Sequence, residues 1–154
     1  MKKINLGIKK TESISRRKIF FAALFAVLIV FSFGSCGKKI SFMNSTVAPA
    51  ARGDVKVSRD HNRNYVVNLD IFNLAESTRL SPSRSVYVVW LMFNDATVKN
   101  VGQIKSTTGF LNKNLKASFT AISATKPTKV FITAEDDGSV QNPASQVVLS
   151  TDSF

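Results

Sequence analysis

The sequence predicts an all-β fold, a two-layered sandwich of about seven antiparallel strands. Three observations predict it. From Gly53 onward apolar residues recur with a period of two. No window in that region carries a sustained helical stripe. All four prolines (Pro49, Pro82, Pro127 and Pro143) fall between the alternating runs, as ladder hydrogen bonding requires.

The runs follow in order. Asp54–Ser58 is short, with Val55 and Val57 on one side. Asn64–Phe72 is clearer, with Tyr65, Val67, Leu69 and Ile71 on one face and Val66, Asn68, Asp70 and Phe72 on the other. Val86–Phe93 is apolar on both faces. Val98–Ile104 is a weaker strand after the turn signal Asn94-Asp95. Leu115–Ile122 sets Leu115, Ala117, Phe119 and Ala121 against Lys116, Ser118 and Thr120. Lys129–Glu135 alternates Val130, Ile132 and Ala134 with Phe131, Thr133 and Glu135, and Ser145–Ser150 is the last run. One wet and one dry face per strand lets two sheets share a core, with Trp90, Phe119, Tyr65 and Leu69 as expected members. If Trp90 points inward, so do Val86, Val88 and Met92, and Tyr87, Val89, Leu91 and Phe93 face away. That outer apolar set is a candidate interaction face for a protein partner or a second copy, unless Asn73–Ser85 or the preceding linker covers it.

Ahead of the strands lies a different kind of chain. Ile19–Phe33 is apolar except for Ser32, follows Arg16-Arg17-Lys18 and ends at Gly34-Ser35-Cys36. A basic segment, an apolar core and small residues make a secretory signal over residues 1–35. As a helix, fifteen residues span roughly 22 Å, short of the ~30 Å hydrocarbon core, although an uncleaved anchor in a thinned bilayer is the alternative. Phe33-Gly34-Ser35-Cys36 resembles the lipobox of bacterial lipoproteins, with Phe33 in place of the usual Leu. The resemblance implies that Cys36 takes a diacylglycerol thioether and becomes the new N-terminus. A free exposed thiol is otherwise a liability in an oxidising compartment. Ser15–Phe20 is also partly similar to a twin-arginine export signal, but a plain basic segment accounts for it better. After Cys36, Lys38 and Lys39 stand where surface-displayed lipoproteins of some bacteria carry an acidic run, which favours a periplasm-facing protein. Residues 36–52, with Pro49 and small neighbours, read as a flexible linker to a domain at 53–154.

Charge and composition exclude several functions. The formal charge is +11, yet the first 35 residues hold seven of the 21 Lys/Arg and one of the ten acids. A nucleic-acid reading would therefore rest largely on an export signal, and an exported location argues against such a partner. One Cys excludes an internal disulfide and a thiolate zinc cluster, and one His excludes the common two-His metal sites. A Ser-His-Asp site would have to use His61, which sits in a polar turn. Glu135-Asp136-Asp137 reads as a hairpin turn and lacks the spacing of a calcium loop. Arg52-Gly53-Asp54 matches the integrin tripeptide, but Gly53 reads as a turn before the first strand. The charge is also polarised: residues 36–131 carry 14 basic and five acidic side chains, and residues 132–154 carry four acids and no base. A basic face is thus available to lipid headgroups or acidic glycans.

The strand motifs also resemble a known family. Tyr87-Val88-Val89-Trp90-Leu91, Val101-Gly102-Gln103-Ile104, Val130-Phe131-Ile132-Thr133-Ala134-Glu135, Gly138-Ser139, Pro143 and Val147-Val148-Leu149 occur in that order. The series is similar to the extracytoplasmic C-terminal domain of anti-sigma-K factors, over roughly residues 53–150. The resemblance implies an immunoglobulin-like β-sandwich. Such factors hold their sigma factor with a cytoplasmic N-terminal domain, and about 18 residues before the apolar run are too few for one. The expectation is a lipid-anchored envelope protein with a non-catalytic binding or structural role and no cofactor. A sensing partner in envelope signalling is the alternative, and a small periplasmic hydrolase comes third.

Overall fold

The computed structural model describes residues 38–104, 107–109 and 112–154. The expected signal peptide at 1–35 and the expected lipid site Cys36 lie outside the described residues. Among the described residues there are nine strands: β1 Lys38–Ser41, β2 Arg52–Arg59, β3 Tyr65–Phe72, β4 Val86–Met92, β5 Val98–Ile104, β6 Thr107–Gly109, β7 Asn112–Ser123, β8 Lys129–Glu135 and β9 Val147–Ser150. They form two antiparallel sheets, ordered β1-β2-β3-β7-β6 and β5-β4-β8-β9. The β-sandwich expected from the period of two is the fold. All seven expected runs are strands, with ends shifted by up to three residues, and β1 and β6 are additional. Among the described residues no helix is long and apolar enough to cross a membrane.

The segment read as a linker is corrected. Lys38–Ser41 pairs with Val57–Asp54, and Ala48 and Ala51 are buried in the core. Phe42 bridges to Thr151, and the Met43 N–H donates to the Ser150 carbonyl at 2.8 Å. A four-residue strand is too short to show a period, and its ladder partner lies 13 or more residues away. The domain therefore begins by Lys38, with only Gly37 between that residue and Cys36.

The main core lies between the sheets. Val55, Val57, Val67, Leu69, Ile71, Ala117 and Ala121 face inward from one, as their alternation predicts. Leu69 is fully buried, and Tyr65 and Phe119 are partly buried against this core. Two glycines are fixed by close approaches. A Cβ on Gly102 would sit 3.1 Å from the Phe119 ring, on a backbone at φ 136° that side chains rarely adopt. A Cβ on Gly53 would meet the Asp70 carbonyl oxygen at 2.3 Å and the Ile71 Cα at 2.9 Å. Gly53 is thus no turn: it stands inside β2 opposite Ile71, and Arg52-Gly53-Asp54 runs along an interior strand between β1 and β3. Backbone atoms of a paired strand cannot yield as a side chain does. Gly53→Ala is expected to cost about 1–3 kcal/mol, read as a lower urea midpoint. An unchanged midpoint would show that β2 and β3 do not approach this closely.

Candidate functional site

The expected interaction face, Tyr87, Val89, Leu91 and Phe93, is not on the surface. Tyr87, Val89 and Leu91 are 1%, 0% and 0% exposed and belong to the core between the sheets, with Phe93 partly buried against it. Register explains the placement: Tyr87, Val89 and Leu91 stand opposite Ala134, Ile132 and Val130 of β8. These three face the other sheet because they continue the apolar row of β8. The Tyr87 hydroxyl donates to the Ala75 carbonyl at 2.8 Å, and burial pushes this phenol up to about 12.

The opposite side of β4 holds a second, smaller apolar layer. Val88, Trp90 and Phe131 are buried there, with Val86, Met92, Val98 and Val140 packed against them. Trp90 is buried as expected, but on the outer face of its sheet. Its ring stacks on Phe131 at 6.2 Å between centroids and 12° between planes, and its indole N–H donates to the Thr133 hydroxyl at 2.8 Å. The chain from Asp136 to Gln146 closes this layer. The Asn100 side-chain amide donates to the carbonyls of Gly138 and Val140 at 2.9 and 2.8 Å. The Glu135 carboxylate, 2% exposed, accepts the backbone N–H groups of Ala144 and Ser145 at 3.2 and 3.3 Å. The motif residues Trp90, Thr133, Glu135 and Gly138 thus take part in holding this segment on the sheet.

The acidic triplet divides its work. Glu135 holds the covering segment, Asp136 pairs with Arg84 at 2.6 Å, and Asp137 accepts from the Ser139 backbone and hydroxyl. The Ser139 N–H and hydroxyl hold the Asp137 carboxyl below its usual range. Among the described residues no group of three or more His, Cys, Asp or Glu is arranged to hold a metal ion. His61 is exposed in the Asp60–Asn64 turn, where Arg63 takes φ 64° and the Asp60 carboxylate accepts the Asn64 N–H at 2.8 Å.

What the fold does gather is positive charge at one end. β1 begins at that end, β2 and β7 finish there, and β3, β5 and β8 start there. Lys38, Arg59, Arg63, Lys99, Lys126 and Lys129 collect at this end, against Asp60, Asp95 and Asp152. Two of these cations lie over aromatic rings: Lys38 Nζ is 5.7 Å from the Phe154 centroid, and the Arg59 guanidinium is 4.7 Å from that of Tyr65. Asp60 and Asp95 are engaged by their own turns. For Asp60, burial raises the carboxyl but the Asn64 N–H groups outweigh it and hold it below its usual value. Thr97 lowers Asp95 by its side-chain and backbone hydrogen bonds. Among the described residues the ion pairs are Lys39–Asp54, Arg79–Glu76 and Arg84–Asp136, and none involves the six cations. A cleft of about 450 Å³ opens at the same end, between the Asn94–Thr97 turn and the Ser123–Thr125 segment, beside Ile122 at 66% exposure. The charge was legible as an excess along the chain, but its collection at one end follows from strand direction.

No protein-family model matches the chain, and no curated protein or solved structure resembles it at a significant level.

Proposed function

We propose that this chain is a lipid-anchored β-sandwich module of the bacterial cell envelope, exported and facing the periplasm, with a non-catalytic binding or structural role. The observation that carries the reading is the order basic segment, apolar run, Gly34-Ser35-Cys36, followed after a single residue by the domain itself. Two or three acyl chains at Cys36 anchor stably where one does not, at ~0.8 kcal/mol per buried CH₂. The distribution of chemical groups supports a role without catalysis: Glu135, Asp136 and Asp137 each serve a separate structural contact, and His61 stands in an exposed turn. Of the anti-sigma-type residues, Trp90, Thr133, Glu135 and Gly138 serve the outer layer of one sheet, and Tyr87, Leu91, Val130 and Ile132 serve the main core, so the resemblance supports a kind of domain rather than an activity toward a sigma factor.

Cys36→Ala is expected to abolish incorporation of a fatty-acid probe and to leave an unprocessed or differently cleaved chain. Equal label in the wild type and the variant would overturn the reading.

A further inference from the structure

The end of the sandwich at which β1 begins carries two independent features that point the same way. The first is position. Lys38 opens β1 at this end, and Cys36 precedes it by two residues, so a lipid on Cys36 lies within roughly 7 Å of it along the chain. A tether so short leaves the domain little freedom to turn away from the bilayer. The second feature is charge. Six cations stand here against three acids, and among the described residues none of the six is in an ion pair. The far end is close to balanced: Asp54, Asp70, Glu76, Glu135, Asp136 and Asp137 gather there with Arg52, Arg79, Arg84 and Lys116, Lys113 stands in the first residues of β7, and Lys105 follows the end of β5 in the sequence. A domain with this charge separation is oriented by a negatively charged plane, basic end down.

We infer that the basic end of the sandwich is a docking face for anionic phospholipid headgroups, and that it lays the domain directly on the membrane to which Cys36 anchors it. The inference rests on the anchoring reading. Arg59 ends β2 and Arg63 lies in the Asp60–Asn64 turn that follows, Lys126 lies in the β7–β8 connection and Lys129 opens β8, and Lys38 opens β1 at the point of entry. Together they present cations from three separate segments to one plane. Ile122, exposed at the same end, meets the interface beside them. Each Lys or Arg near an anionic surface strengthens contact roughly fivefold at physiological salt, so four acting together supply on the order of several hundredfold. Screening removes most of this at high salt.

The test uses the full chain reconstituted in vesicles. A single labelling site, Ile122→Cys at the basic end or Ser83→Cys at the other, carries a fluorophore, with nitroxide headgroup lipids as quencher. In vesicles containing phosphatidylglycerol, quenching at 122 should exceed that at 83 several-fold, fall at high salt, and vanish in phosphatidylcholine alone. Replacing Arg59, Arg63, Lys126 and Lys129 by Gln should remove the contrast while the far-ultraviolet spectrum stays unchanged. Equal quenching at both sites, or a contrast indifferent to lipid charge, would overturn the docking face. So would protection of the 122 label by an added acidic polysaccharide with no quenching on anionic vesicles, which would assign the face to a glycan. Fatty-acid labelling of Cys36 is scored separately. Label with no contrast between the sites rejects the docking face alone. Contrast without label rejects the lipid at Cys36 and leaves the face to dock a chain held by other means.

Discussion

Leu91→Lys is expected to unfold the domain. Leu91 is fully buried between the sheets, opposite Val130 of β8 and Lys99 of β5, and belongs to the main core with Val89 and Ile132. Losing that burial removes about 1.5–3 kcal/mol. Placing an ammonium in the same space costs several kcal/mol more after relaxation. Together these approach the 5–15 kcal/mol by which a domain is stable at all. Loss of the cooperative transition in circular dichroism is the expected result. Leu91→Met, which nearly conserves volume, should stay folded within about 1.5 kcal/mol of the wild type. A folded Lys variant with an unchanged melting temperature would place Leu91 on the surface and restore the face expected from alternation alone.

The strand itself explains why alternation pointed the wrong way. Val86–Phe93 is apolar at every position, so the period of two separates Tyr87, Val89 and Leu91 from Val88, Trp90 and Met92 but does not say which set faces the other sheet. Taking Trp90 as the inward residue of this strand assigns the two sets the wrong way round. Its neighbour strand held the better signal. β8 alternates Val130, Ile132 and Ala134 with Phe131, Thr133 and Glu135, and only the second set includes polar groups. An indole N–H that is buried needs an acceptor, and Thr133 belongs to the set with one. The covering segment was missed for a different reason: Asp136–Gln146 is rich in polar residues and reads as a surface turn, yet Asn100 and Glu135 draw it onto the sheet through backbone groups. β1 was missed because its four residues carry no readable period and owe their conformation to β2. Where one face is wet, as in β3 and β7, alternation placed the inward residues correctly.

Trp90→Ala is the complementary experiment, because it strikes the second apolar layer and leaves the first intact. Trp90 is 0% exposed, stacks on Phe131 and donates to Thr133. Truncation removes the largest side chain of a layer that has only three buried members, and should cost about 3–5 kcal/mol. Thr133, itself fully buried, is then left without its donor. Trp90→Phe separates the two contributions. It keeps an aromatic ring over Phe131 and gives up the hydrogen bond, so it should lose less, about 1–3 kcal/mol. The same pair distinguishes an outer-layer tryptophan from one in the main core. If the layer is held down by Asp136–Gln146, amide exchange in that segment and around Asn100 should rise in the Ala variant well before protection is lost in β2 and β3. Trp90 is also the only tryptophan, so the emission of the wild type reports this layer alone and should shift red when the covering segment opens. An Ala variant with wild-type stability would show that the layer is open to solvent. A variant that loses protection in all strands together would show that the two apolar layers form one cooperative core.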